Sequence, residues 1–223
     1  MDWRKKVFNG FRLYAVTDLK TKNPDVLQEI AAAYRGGTDI VQLRSKVLSD
    51  AALIRLGSRI KKIAEKNKKL FFVNDRIDLA LVIGAAGVHL GQEDMPVAVA
   101  RTLAKRAGVK IWIGKSTHNL RQALAAVNEG ADYIGVGPVF ATPTKPHAKS
   151  VGLRFVKQAA VKIRIPWVAI GGIDRGNIRD VIAAGATRVA VVRAIFAAKD
   201  PESAARELKH QLGRNMKCQN PLI

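Results

Sequence analysis

Leu120-Arg121-Gln122-Ala123-Leu124-Ala125-Ala126-Val127-Asn128 is an Ala-rich helical pattern, Glu129-Gly130-Ala131-Asp132 stops it, and Tyr133-Ile134-Gly135-Val136 is a short apolar run. The same helix end and turn recur as Arg35-Gly36-Gly37-Thr38-Asp39 and as Ala184-Gly185-Ala186-Thr187, each leading into another apolar run. Glycine just past a helix lets the chain turn sharply where other residues would be strained. Outward from this unit the chain carries eight such runs, at 13–16, 39–43, 70–73, 87–90, 110–113, 133–136, 166–170 and 189–192. They are mostly too short for helices and too apolar for strands with one wet face. They predict strands buried on both faces of a parallel sheet.

Helical patterns fill the gaps. Val26, Leu27, Ile30 and Tyr34 form one stripe, and Ser49-Asp50 opens a helix carrying Leu53, Leu56, Ile60 and Ile63. Eight strand–helix units in a chain of 223 residues predict a closed (β/α)8 TIM barrel. The alternative, an open doubly wound sheet, lacks its glycine-rich dinucleotide fingerprint after the first run. The expected division is a basic segment over 1–10, a catalytic barrel over 11–214 and a tail over 215–223.

Composition excludes several classes. Apolar residues at 48% are enough to close a core, so disorder is not the main state. No apolar run reaches the roughly 18–20 residues of a bilayer span. With Cys218 the only cysteine, neither an intrachain disulfide nor a Cys-rich zinc site can form. No signal-peptide apolar region follows Met1-Asp2-Trp3-Arg4-Lys5-Lys6, so a cytoplasmic location is expected. The unusual quantity is charge: 38 Lys and Arg against 18 Asp and Glu give a net +20, spread along the chain rather than gathered in a tail. Such a field attracts anions, either phosphorylated metabolites or nucleic acid. It carries no aromatic interleaving of the RNA-binding kind, and solvated helix faces are its plainest meaning.

In such barrels chemistry sits where strands end. Gln42, Arg44 and Lys46 alternate after the second run and so share one face. Arg is a bidentate phosphate binder, Lys a mobile point charge, and the Gln amide can donate to and accept from a heterocycle. Asp75 and Asp94 follow the third and fourth runs, and two carboxylates at one mouth are a typical holder of Mg²⁺ beside phosphates. Taken singly, each could instead cap a helix. Gly114-Lys115-Ser116 looks like the end of a Walker A loop, but the spacing puts Val109 where a glycine is required. Ser116 remains a hydrogen-bonding candidate and His118 an acid–base candidate, against a helix-capping Thr117 and a surface His118. Thr142-Pro143-Thr144-Lys145 lies in a long loop with three prolines. Gly171-Gly172 and the backbone near Arg193 stand where barrels bind phosphate. No Ser-His-Asp order or activated cysteine appears. The inventory points to a diphosphate leaving group and a second, phosphorylated substrate.

These strand ends resemble thiamine-phosphate synthase, over about residues 11–197. The motifs are Gln42-x-Arg44-x-Lys46, Asn74-Asp75, Val88-His89-Leu90-Gly91-Gln92-Glu93-Asp94, Gly114-x-Ser116-x-His118, Thr142-x-Thr144-Lys145 and Gly171-Gly172-Ile173. The resemblance implies a transferase that couples hydroxymethylpyrimidine diphosphate to a thiazole phosphate and releases diphosphate, ionising the first substrate before the thiazole nitrogen attacks. It implies Asp75 and Asp94 as Mg²⁺ ligands, and Arg44, Lys46, Asn74 and Lys145 as diphosphate binders. It implies Gln42 and Ser116 as contacts to the pyrimidine and its leaving group, and Thr142 and Thr144 as contacts near the thiazole. Gly172, Val192 and Arg193 would form the thiazole phosphate cup, although the family usually has a small residue, often Ser, where Arg193 stands. Arg44, Lys46, Ser116 and Lys145 would carry the catalytic work. Neither a membrane nor a specific nucleic acid is expected as partner. Two competing readings are a thiazole tautomerase on the same barrel, using His118, and a basic polyanion-binding protein.

Overall fold

The computed structural model describes residues 2–19, 24–144 and 148–214. Eight strands close in sequence order into one parallel barrel, with the last paired to the first. The first half runs α1 (Trp3–Gly10), β1 (Leu13–Val16), α2 (Val26–Arg35), β2 (Ile40–Leu43), α3 (Asp50–Lys66), β3 (Leu70–Asn74), α4 (Ile77–Ile83), β4 (Gly87–Leu90) and α5 (Val97–Arg106). The second half runs β5 (Trp112–Thr117), α6 (Leu120–Asn128), β6 (Tyr133–Val136), α7 (Gly152–Lys162), β7 (Trp167–Ile170), α8 (Ile178–Ala183), β8 (Val189–Val191), α9 (Arg193–Phe196) and α10 (Pro201–Arg214). The predicted (β/α)8 barrel is therefore the observed one.

Alternation along each strand divides the core in two. Leu13, Ala15, Val41, Leu43, Phe71 and Val73 point outward and pack beneath the helices. Tyr14, Ile40, Leu70, Phe72, Tyr133, Val168 and Ala190 point inward and fill the barrel. This two-sided burial is why the strands read as continuous apolar runs. The space inside is tight: a Cβ on Gly114 would lie 2.6 Å from the Tyr133 hydroxyl, so glycine there admits the tyrosine ring.

Within the basic segment expected over 1–10, residues 3–10 form a helix that plugs the barrel base. Asp2 caps it by accepting from the Arg4 amide at 3.1 Å. Phe8 is buried against the barrel interior, stacked on Trp112 at 4.5 Å between centroids and edge-on to Tyr133 at 6.1 Å. Arg4 pairs with Glu65 of α3 at 2.8 Å and fixes the helix from outside.

Two local expectations are corrected. The fifth strand, read at 110–113, starts at Trp112 and continues to Thr117, because Lys115 and Thr117 pair in register with Ile134 and Val136. Thr117 is therefore not a helix cap. Its hydroxyl is buried and donates to the Gly135 carbonyl at 2.8 Å, while Asn119 caps α6 by accepting from the Gln122 amide at 2.9 Å.

Candidate active site

The C-terminal ends of the strands open onto one cavity. Its lining includes Gln42, Arg44, Asn74, Ser116, Thr142, Thr144 and Val192. The adjoining groove is lined by Thr142, Thr144, Gly172, Val192 and Arg193. Seven strand-end positions separated by up to 150 residues in the chain thus share one mouth. Asp75 follows the lining residue Asn74 at the rim and interacts with Lys46 and Asp94, and none of these three lines the cavity itself. Lys145 and Cys218 lie outside the described residues.

The cations of the second strand end are both paired. Arg44 makes an ion pair with Asp18 of the first strand end, and both side chains are largely buried. Lys46 Nζ reaches Asp75 Oδ2 at 2.8 Å from a mostly exposed position. Asp18 was not singled out in the sequence. It follows Thr17, whose hydroxyl accepts from the Arg44 amide at 2.8 Å and donates to the Arg44 carbonyl at 3.0 Å. That exchange pins the strand end that presents Arg44.

Neither carboxylate of the rim serves as a helix cap. The N-caps of α4 and α5 are Arg76 and Pro96. Asp75 instead adopts φ +61°, a left-handed conformation unusual outside glycine, with its amide bonded to the His89 carbonyl at 2.7 Å. Asp94 Oδ2 accepts from the Gly91 amide at 2.5 Å. The two carboxyls interact directly. Burial pushes Asp75 up, but hydrogen bonds from Lys46 and with Asp94 bring it below the ordinary aspartate value. Burial also pushes Asp94 up, and Asp75 pushes it further, so it stays above that value. A pair of this kind sets two like charges against each other, and a cation bound between them would relieve that repulsion. Among the described residues no group of three or more His, Cys, Asp or Glu is placed to hold a metal. A metal here would take two protein oxygens and find its remaining ligands in water and phosphate, which suits Mg²⁺.

Below the mouth, polar side chains cross the barrel. Gln42 Nε2 donates to the Tyr14 hydroxyl at 2.6 Å, and the Tyr14 and Tyr133 hydroxyls are 3.1 Å apart. Tyr133 meets His89 Nδ1 at 2.9 Å, and His89 Nε2 meets Ser116 Oγ at 3.0 Å. Burial drives the pKa of both tyrosines upward, so both are neutral phenols. Tyr14, Tyr133 and His89 were not predicted as a site. The available signal was a polar atom on the inward face of strands otherwise apolar there. His118 behaves differently: its Nδ1 lies 2.5 Å from the Gly137 carbonyl, which makes that nitrogen the protonated one.

The groove beside the cavity depends on two glycines. Gly171 and Gly172 have φ +102° and +65°. A Cβ on Gly172 would stand 2.6 Å from the Ala141 carbonyl oxygen. The loop after β6 is stitched to β7 by Val139 N–H to Ile170 O at 2.8 Å and Phe140 N–H to Gly171 O at 3.0 Å. The pair is thus explained by close loop packing, and Gly172 also faces the groove. Thr144 Oγ1 is buried there with no hydrogen-bond partner among the described residues. Arg193 is exposed at the start of α9.

Residues 13–195 match the family model described as thiamine monophosphate synthase. A thiamine-phosphate synthase of Gloeobacter violaceus is 50% identical over 85% of this chain. The chain spans about half of that relative's length, 54%. A thiamine-phosphate synthase of Thermus thermophilus is 48% identical over 83% of this chain and 88% of its own length. The solved thiamine phosphate pyrophosphorylase of Pyrococcus furiosus superimposes with a TM-score of 0.84 at 35% identity, covering 92% of this chain and 96% of that one.

Proposed function

This chain belongs to the thiamine monophosphate synthase family, and from that premise we propose that it joins hydroxymethylpyrimidine diphosphate to a thiazole phosphate, giving thiamine phosphate and diphosphate. The observation that carries this reading is the gathering of Gln42, Arg44, Asn74, Ser116, Thr142, Thr144 and Val192 around one cavity. In this reading the positions for the heterocycle and for the phosphates meet there, with the Asp75–Asp94 pair next to Asn74.

Each part has a role in the reaction. Asp75 and Asp94 would hold Mg²⁺, which supplies positive charge beside the departing diphosphate when bound. Arg44, Lys46, Asn74 and Lys145 bind that diphosphate, and their charge counts most as negative charge grows on it. Gln42 and Ser116 hold the pyrimidine and its leaving group. The carbon–oxygen bond breaks first, and its electron pair leaves with diphosphate. Thr142 and Thr144 orient the thiazole, while Gly172, Val192 and Arg193 hold its phosphate. The thiazole nitrogen, fixed next to the new pyrimidine-methyl cation, then gives its lone pair to form the carbon–nitrogen bond. That nitrogen carries no proton, so neither a nucleophile nor a general base from the protein is needed. Residues 11–214 form the catalytic unit in this reading, with α1 as its base. Charged phosphate substrates suit a cytoplasmic enzyme, and among the described residues no helix is long and apolar enough to cross a membrane.

The test is to supply both substrates and Mg²⁺ to the purified chain and look for thiamine phosphate. Formation of product supports the proposal. A folded chain that forms none, yet isomerises the thiazole through His118, would replace it with the tautomerase.

A further inference from the structure

The five side chains Gln42, Tyr14, Tyr133, His89 and Ser116 form one hydrogen-bonded chain across the barrel, with four links of 2.6–3.1 Å. Gln42, Tyr14, Tyr133 and His89 are all buried. Its two ends, Gln42 and Ser116, both line the cavity.

Proton counting gives this chain a direction. Gln42 donates from its amide nitrogen to the Tyr14 oxygen. A neutral phenol owns one proton. The Tyr14 proton is therefore left for the Tyr133 oxygen, and the Tyr133 proton for His89 Nδ1. An imidazole that accepts at Nδ1 carries its own proton on Nε2 and gives it to Ser116 Oγ. The Ser116 hydroxyl proton is then free to point into the cavity. At the other end the Gln42 amide oxygen is left to accept. Reversing any one link alone leaves two donors or two acceptors facing each other, and reversing every link except that from Gln42 leaves the buried Tyr14 proton without an acceptor among these five side chains.

We infer that His89, held in its Nε2–H tautomer by Tyr133 and Tyr14, is a positioning residue that presents Gln42 to the cavity as an acceptor and Ser116 as a donor. The proposed reaction supplies only the identity of the ligand. In that reading the exocyclic amine of the pyrimidine donates to Gln42 Oε1, and a diphosphate oxygen accepts from the Ser116 hydroxyl. The reversed chain would set a donor against the amine and a lone pair against the phosphate, and would repel at both ends. The direction of the chain thereby favours an aminopyrimidine diphosphate over a ring that offers an acceptor at the same place.

The experiment is ¹⁵N NMR of the labelled full-length chain, without substrate. The protein has four histidines, and the His89 signals are those lost in His89→Gln. The expected spectrum has a protonated Nε2 and an unprotonated Nδ1. In Tyr133→Phe the donor to Nδ1 is gone, and the Nδ1 signal should move. The same variant should raise KM for the pyrimidine diphosphate about 10-fold, the scale of one hydrogen bond to a bound ligand, and leave KM for the thiazole phosphate unchanged. If Tyr133→Phe does not fold, Tyr14→Phe cuts Gln42 from the chain and should give the same KM pattern. An Nδ1–H tautomer in the wild type would overturn the inference, as would a His89 spectrum unchanged in Tyr133→Phe. The spectrum is independent of turnover. The expected tautomer in a chain that makes no thiamine phosphate supports the wire and sinks the reaction, and the opposite pair of results sinks only the wire.

Discussion

Replacing Asp39 by Asn should destabilise the barrel by a definite amount with a definite pH dependence. Asp39 sits at the start of β2 and is buried. Its Oδ2 accepts from the amides of Arg12 at 2.8 Å and Leu13 at 3.1 Å, and its Oδ1 accepts from Lys69 Nζ at 3.1 Å. Lys209 of α10 also donates to Oδ2. One carboxylate thus ties the first three strands to the last helix. An Asn that keeps its oxygen on the two amides must turn its NH₂ toward Lys69, donor against donor. Two partly buried ammonium groups also lose their counter-charge. Breaking a buried pair from one side costs about 3–5 kcal/mol. The lysine side chains keep 23% and 31% exposure, which places this case at the low end. A loss of about 3 kcal/mol in a chain of this size lowers Tm by roughly 6–12 °C.

The sign of the pH effect follows from the carboxyl. Burial pushes Asp39 up, but Lys209 and Lys69 outweigh it and hold the folded-state pKa below the ordinary value. The stabilisation is therefore complete above the unfolded value of about 3.9 and is lost as pH falls through the lower, folded one. Urea denaturation of both proteins between pH 3 and pH 7 measures this directly. The gap between wild type and variant should be full at pH 7 and narrow toward pH 3. A difference below about 1 kcal/mol at pH 7, or a gap that stays constant down to pH 3, would refute the ion-pair argument.

Three further outcomes are expected. Asp94→Ala should abolish Mg²⁺-dependent turnover while far-UV circular dichroism stays native, since Asp94 caps no helix; retained turnover would remove it from the metal site. Phe8→Ala should cost about 3–5 kcal/mol in denaturant unfolding, because it empties the buried stack on Trp112 at the barrel base; a cost under about 1 kcal/mol would make α1 an accessory. For Arg193→Ser, a raised KM for the thiazole phosphate with kcat preserved would identify a direct phosphate contact, and an unchanged KM would place the side chain outside the cup.

Most of the barrel was readable because its strands are wet on neither face. Runs such as Leu13–Val16 and Gly87–Leu90 are buried at every residue, so apolar stretches coincide with strands. The end of the fifth strand was missed because Lys115 and Thr117 are polar yet buried, which hydropathy does not register. The mouth was readable for a related reason: polar residues after apolar runs mark strand ends, and closure of the barrel does the rest. Three features stayed hidden. Asp18 owes its importance to a partner 26 residues away, Arg44. Phe8 and Phe11 enter the barrel from below, which no local pattern specifies. The Tyr14–Tyr133–His89 link depends on three strands meeting at one level inside the barrel, and tyrosine and histidine in a strand look like ordinary core residues until that level is known.

In the proposed reaction one mouth breaks the carbon–oxygen bond to diphosphate and passes the carbon to the thiazole nitrogen. The most direct measurement is the ratio of diphosphate released to thiamine phosphate formed by the purified chain, with Mg²⁺ and with a chelator. One diphosphate is expected for each thiamine phosphate, and both products should be lost with the chelator. Diphosphate released without thiamine phosphate, or coupling untouched by the chelator, would contradict the proposed reaction.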